Sequence, residues 1–200
     1  MSKILICGDS FAVDYKKING TTVGWPSRLA ETHTITNRAQ AGVCEYQILK
    51  QLERENLNNY DAIIVSHTSP NRVYIQQHPV YKNNILHQHA DLIYSDVLYH
   101  LEKEPNNVVL NAAKEYFENI YDQDYQEDLY FLIVDRIQEL LNSHLSLHLT
   151  TLFDKKSSKF KNHLNLFKIC KISPGNINHY DEVDNNKVYN LVNDWINNHV

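Results

Sequence analysis

Two hundred residues and a mass of 23.4 kDa give room for one domain with a full core and too little for two. Apolar residues at 42% and charged ones at 22% exclude a disordered or fibrous chain. A net charge of −5 is the wrong balance for a nucleic-acid binder that works by neutralising phosphate.

The chain begins Met1-Ser2-Lys3 and enters the run Ile4-Leu5-Ile6-Cys7, which stops at Gly8-Asp9. Four apolar residues are too few for a signal-peptide core or a membrane span, and no later stretch reaches the length of a span. The expectation is therefore a cytoplasmic protein with no membrane partner. Cys7, Cys44 and Cys170 lie far apart, a spacing that gives neither a disulfide framework nor a zinc ribbon and suits a reducing compartment.

Lys3–Cys7 reads as a first strand, 33–36 as a second and 61–65 as a third. Between them, Trp25-Pro26-Ser27 places proline at a helix start, and 45–55 carries Ile48, Leu49 and Leu52 at helical spacing. The segments 145–150 and 166–172 read as later strands, and Val188, Leu191, Val192, Trp195 and Ile196 mark a closing amphipathic helix. Strands alternating with helices predict a parallel sheet covered on both faces.

The middle departs from that rhythm. From about residue 89 to 141 the apolar spacing is helical almost throughout, with Pro105 as the break. A crossover between parallel strands needs one helix. The surplus predicts a helical cap inserted at about 85–143 into a single domain spanning 1–200.

Directly after the first strand comes Gly8-Asp9-Ser10-Phe11. A serine just past the C-terminal end of a parallel strand sits where such sheets hold their ligands, and it becomes a nucleophile if a histidine reaches it. Further on, Asn37-Arg38-Ala39-Gln40-Ala41-Gly42 follows the second strand, and His179 stands just before the closing helix. In these three blocks the sequence resembles the SGNH (GDSL) hydrolase family, at both ends of the chain and hardly in its middle. The resemblance implies a three-layer α/β sandwich with a central parallel, flavodoxin-like sheet. It implies Ser10 as nucleophile and His179 as general base, with the N–H groups of Ser10 and Gly42 in an oxyanion hole. No cofactor and no metal are implied.

Two positions depart from the family pattern. After the third strand the chain reads Ser66-His67-Thr68-Ser69-Pro70-Asn71-Arg72, where the family has Gly-x-Asn-Asp. Thr68 holds the amide position in strict register, whereas a turn at Pro70 would bring Asn71 there. Asp9, Thr68 and Arg72 are further candidates for substrate binding, Arg72 toward a carboxylate or phosphate. Three residues before His179, where the family places aspartate, stands Asn176. Its carbonyl can orient an imidazole without stabilising the imidazolium by charge, and Asp181 or Asp184 are alternatives for that task.

Other features compete for attention. His87-x-His89 lacks a cysteine or carboxylate cluster at zinc spacing. Tyr94, Tyr99, Tyr116, Tyr121, Tyr125 and Tyr130 in the predicted cap would suit sugar rings or core packing. The basic segment 154–161 would suit an anion or simply face water. Together the residues predict a serine esterase acting on an O-acyl ester of a carbohydrate or related metabolite. The alternatives are an acyltransferase using the same intermediate and a silent carbohydrate-binding module.

Overall fold

A computed structural model describes residues 1–16, 23–151, 160–173 and 176–200. Five strands, β1 (Lys3–Gly8), β2 (Thr34–Asn37), β3 (Ala62–His67), β4 (Ser146–Thr150) and β5 (His163–Asn165), form one sheet in the order β2-β1-β3-β4-β5. Every pairing is parallel, with Leu5 opposite Thr36 and Ile63, and His148 opposite Val65 and His163.

The continuous apolar runs of β1 and β3 follow from burial on both faces. Even-numbered Ile4, Ile6, Ala62 and Ile64 pack with Leu147 and Leu149 under Trp25 and Leu29 of α1 (Trp25–Leu29). Val188, Val192 and Ile196 of α7 (Glu182–His199) complete that layer. Odd-numbered Leu5, Cys7, Ile63 and Val65 turn the other way, onto Ile48, Leu49 and Leu52 of α2 (Glu45–Glu53) and onto Ile137 and Leu141 of α5 (Gln123–Leu141). The result is the expected three-layer α/β sandwich.

The middle segment divides differently from its periodicity. The end of α5 is the covering helix of the crossover into β4, since Ile137 and Leu141 sit in the sheet core. In front of it, α3 (Tyr94–Lys103) and α4 (Val108–Asn119) share a separate small core of Leu92, Val97, Leu110 and Ala113. Leu86 and Ala90, which fit the helical spacing, lie in turns before Leu92 makes an antiparallel bridge with Val73.

The segment expected as a late strand at 166–172 is also different. Asn165 accepts the Lys168 N–H and caps a short helix, α6 (Leu166–Ile169), so the strand is the polar triplet before it. No helix among the described residues is long and apolar enough to cross a membrane.

Candidate active site

The C-terminal ends of the parallel strands gather the loops that carry chemistry. Gly8 is required by proximity: a Cβ there would stand 2.6 Å from the Ser66 Cβ on the neighbouring strand. The turn after it is held from inside by Asp9, whose Oδ1 accepts the Phe11 N–H at 3.1 Å and the Ser66 hydroxyl at 3.4 Å. Asp9 is 1% exposed, and burial pushes its carboxyl up to about 6, against the lowering influence of Arg72 and the Phe11 N–H. Asp9 thus shapes the turn from below and does not face a ligand.

That turn presents Ser10 to the base. Ser10 Oγ and His179 Nε2 are 2.8 Å apart, across 169 residues of sequence. His179 ends a single 3₁₀ turn, Ile177–His179, in which Asn178 and His179 both take left-handed backbone conformations, at φ 52° and 58°. Two consecutive non-glycine residues in that region cost on the order of 1–3 kcal/mol each and persist where the surroundings impose them. Here Asn178 is fully buried, and its Nδ2 donates to the carbonyls of Ser10 at 3.3 Å and Val13 at 3.0 Å. The loop bearing His179 is therefore pinned to the loop bearing Ser10.

Asn185, on the first turns of α7, extends this brace. Its Oδ1 accepts the Trp25 N–H at 3.1 Å, and its Nδ2 donates to Ile177 O at 2.9 Å and Tyr180 O at 3.1 Å. Trp25 Nε1 in turn donates to Phe11 O at 2.8 Å. The Phe11 ring lies against the imidazole, 4.5 Å between centroids. Burial, together with the positive charge of Arg72 and the neighbouring His87, lowers the His179 pKa below its usual 6.5. The ring is neutral near pH 7, the state a general base requires.

Asn176 does not orient that ring with its side chain. Its backbone carbonyl accepts the His179 N–H at 3.0 Å, and among the described residues nothing hydrogen-bonds His179 Nδ1. Nor do the alternative carboxylates reach it. Asp181 Oδ1 caps α7 through the Asp184 N–H at 2.8 Å, and Asp184 Oδ2 accepts the Lys171 N–H at 2.7 Å. Among the described residues no hydrogen bond joins either carboxylate to the imidazole.

On the other side of Ser10, Gly42 has φ 80°, and a Cβ there would approach the Ala90 Cβ to 2.7 Å. Its carbonyl is held by the Asp91 N–H at 2.9 Å and by an Arg72 guanidinium nitrogen at 3.0 Å. Among the described residues no hydrogen bond occupies the N–H of Ser10 or of Gly42. Asn71 is exposed and stands outside the cleft, its N–H turned to Ser69 Oγ at 3.3 Å. Thr68 is 1% exposed and donates its N–H to Glu45 Oε2, so it too lies beneath the surface. Of the residues after β3 it is Arg72 that reaches the cleft, because the turn at Pro70 carries the chain one residue beyond the amide.

The cleft has a volume of about 1100 Å³, with Ser10, Gly42, Arg72, Tyr81, Asn176 and His179 among its walls. None of the six tyrosines read as suiting sugar rings or core packing lines it; Tyr15, Tyr81 and Tyr180 do. Tyr116, Phe117 and Tyr121 pack on one another instead. Most of the basic segment at 154–161 lies outside the described residues, as do Pro174 and Gly175. The sequence singles out Arg72, whereas it gives no sign of the roles of Asn178 and Asn185 beyond the asparagine richness of the chain. A hydroxyl and a neutral imidazole in contact inside a cleft can carry out nucleophilic acyl or phosphoryl substitution.

No family model matches the sequence, and no curated protein matches it. Similar solved structures include the following three. A protein described as a possible lipase from Chitinophaga pinensis is 15% identical with a TM-score of 0.36, over 76% of this chain and 49% of its own. The extracellular lipase of Streptomyces rimosus is 14% identical with a TM-score of 0.38, over 76% of this chain and 59% of its own. A protein described as lipolytic and of the G-D-S-L family, from Desulfitobacterium hafniense, is 12% identical with a TM-score of 0.38, over 96% of this chain and 98% of its own. The chain thus spans about half the length of the first and three-fifths of the second. In this chain the sheet ordered β2-β1-β3-β4-β5 ends its strand β1 at Gly8, with Asp9-Ser10 directly after it.

Proposed function

We propose that the protein is a serine esterase of the SGNH type that works with a Ser10–His179 dyad. The observation that carries this reading is the 2.8 Å contact between Ser10 Oγ and His179 Nε2 at the wall of the large cleft. His179 takes the hydroxyl proton as Ser10 Oγ attacks the acyl carbon. The developing oxyanion is met by the N–H groups of Ser10 and Gly42, which have no other described partner. The tetrahedral intermediate collapses, His179 returns the proton to the leaving alcohol, and water clears the acyl-enzyme by the same steps in reverse.

Arg72 takes over part of what the absent side-chain amide would do. Anchored on the Gly42 carbonyl, its guanidinium adds positive charge beside the oxyanion position and suits a substrate bearing a carboxylate or phosphate. The same charge disfavours an imidazolium on His179, and among the described residues no carboxylate offsets it. Turnover is therefore slow for a serine hydrolase: changing the orienting aspartate of a protease to asparagine costs about 10⁴. Polar side chains in the cleft wall, among them Arg72, Asp91 and Asn176, support an O-acylated carbohydrate or related metabolite as substrate. Three free, buried cysteines support a cytoplasmic setting.

The test is p-nitrophenyl acetate hydrolysis and fluorophosphonate labelling of the wild type, Ser10→Ala and His179→Ala. Turnover and labelling at Ser10 are expected in the wild type alone. A folded wild type that neither labels at Ser10 nor turns over would leave the binding module, the reading favoured by a His179 Nδ1 without a hydrogen-bond partner among the described residues. Product analysis with an added sugar alcohol separates hydrolysis from acyl transfer.

A further inference from the structure

A second cleft, of about 420 Å³, opens near the start of β4, where Ser146, His148, Gln138 and Phe160 are among its walls. It shares no described residue with the Ser10 cleft, which opens after the end of β1. In a parallel sheet the start of one strand and the end of another lie on opposite edges, so the two sites are separate.

Behind this cleft runs a hydrogen-bonded chain of buried side chains. Ser146 Oγ lies 3.4 Å from His148 Nε2. His148 Nδ1 lies 2.9 Å from His67 Nε2, and His67 Nδ1 lies 2.6 Å from Glu45 Oε1. Glu45, His67 and His148 are 2%, 1% and 4% exposed. The second oxygen of Glu45 accepts the Thr68 N–H at 3.1 Å, which fixes the carboxylate. Phe160 stacks on both rings, at 4.8 Å from His67 and 4.2 Å from His148, and fixes their planes.

The direction of the chain follows from donor chemistry. A carboxylate only accepts, so His67 donates from Nδ1 to Glu45, and the tautomer that leaves its Nε2 as acceptor takes a hydrogen bond from His148. His148 then donates from Nδ1, and its Nε2 lone pair faces the Ser146 hydroxyl. That is the tautomer order of a serine nucleophile with its base and acid, lengthened by one imidazole. Burial and the two neighbouring histidines keep His148 in its neutral form. Gln138 Nε2, buried at the same cleft, has no hydrogen-bond partner among the described residues and offers a donor to an oxygen bound there.

We propose that this cleft is a second nucleophile–base centre, with Ser146 as nucleophile and His148 as base, open to small activated esters. The Ser146 Oγ–acyl bond forms as its proton passes to His148 Nε2. The bond from the acyl carbon to the leaving oxygen breaks, and the leaving alcohol takes that proton. Water then releases the acid. His67 and Glu45 are positioning residues that hold the tautomer. The inference does not depend on the Ser10 reading.

Ser10→Ala protein treated with a fluorophosphonate and mapped by peptide mass spectrometry tests it. Label at Ser146 is expected, lost in Ser10→Ala/Ser146→Ala and slowed by about tenfold or more in Ser10→Ala/His148→Gln, a loss of base catalysis. Circular dichroism of the His148→Gln protein confirms that the loss is not unfolding, and if that variant fails to fold, the Ser146→Ala comparison decides. No label at Ser146, or a labelling rate indifferent to His148→Gln in a folded protein, overturns the proposal. Label at Ser10 in the wild type is read in the same spectra, so failure at one serine is distinguished from failure at the other.

Discussion

The amide of Asn178 donates to the carbonyl of Ser10 at 3.3 Å, so the residue before the base holds the residue that carries the nucleophile. A second bond, to Val13 O at 3.0 Å, makes the brace bidentate across 165 residues. Gly24 lies close against the same side chain, where an added Cβ would meet Asn178 Oδ1. The Ser10–His179 distance is thus set by a buried amide rather than by the two reacting groups themselves.

Asn178→Ala removes both bonds and takes the side-chain donor from the Ser10 carbonyl, while the Val13 carbonyl keeps the Tyr15 N–H. We expect a stability loss of about 1–3 kcal/mol. Misplacement of His179 should lower kcat by roughly 10²-fold. Urea unfolding and p-nitrophenyl acetate kinetics measure the two effects; an unchanged kcat would mean that the left-handed turn alone places the ring.

Asn176→Ala tests the opposite expectation. Only the backbone carbonyl of Asn176 holds His179, and the side chain is exposed. The variant should keep kcat within about threefold of wild type, the scale of an exposed position away from special contacts. A drop of two orders of magnitude would show that its amide reaches Nδ1 during turnover.

The pH profile reports the base. Because the His179 pKa lies below 6.5, kcat/KM should rise with pH through an acid limb below that value and be level at pH 7. Removing a positive neighbour favours the imidazolium, so Arg72→Met should move the limb upward. The same variant should raise KM for p-nitrophenyl hemisuccinate, whose carboxylate loses its partner, more than for p-nitrophenyl acetate.

Asp9 gives a stability prediction with a defined sign. Its carboxyl is raised from 3.8 to about 6 on folding, so between those values the folded protein binds more protons than the unfolded chain. The contribution is full below pH 3.8 and is lost as pH rises through 6. At pH 7 the buried charge costs on the order of 3 kcal/mol. Asp9→Asn keeps an acceptor for the Phe11 N–H and should flatten this window, stabilising the protein at pH 7 relative to pH 4. Urea midpoints at the two pH values check it.

Gly42→Ala places a methyl at φ 80° and against Ala90. Both strains act together, and a loss of more than about 1 kcal/mol in stability is expected. Displacement of the Gly42 N–H should lower turnover by about 10²–10³. Equal labelling by fluorophosphonate in variant and wild type would place the oxyanion elsewhere.

Local patterns carried the layered α/β fold and the two ends of the site. The unbroken apolar runs Ile4–Cys7 and Ile63–Val65 announce strands buried on both faces, and Gly8-Asp9-Ser10 follows the first directly. The stripe of Val188, Val192 and Ile196 announces the helix behind His179. Such signals are legible because strand and helix periods are properties of neighbouring residues. The short polar strand His163–Asn165 left no such trace, because it is a sheet edge with little apolar surface to bury. Its neighbour Leu166–Ile169 looked like a strand because four residues are too few to separate the two periods.

The chemistry beyond Ser10 and His179 was decided only by the tertiary structure. Glu45, His67 and His148 are 22 and 81 residues apart in successive steps, and only the adjacency of β3 and β4 beside α2 brings them into one chain of bonds. Arg72 became the cation of the cleft, and Asn71 a surface residue, through a single turn at Pro70 that no periodicity records. The sequence by itself determined which residues can react. Which of them touch depended on backbone direction at a few turns, where one residue of register moves a side chain from cleft to solvent.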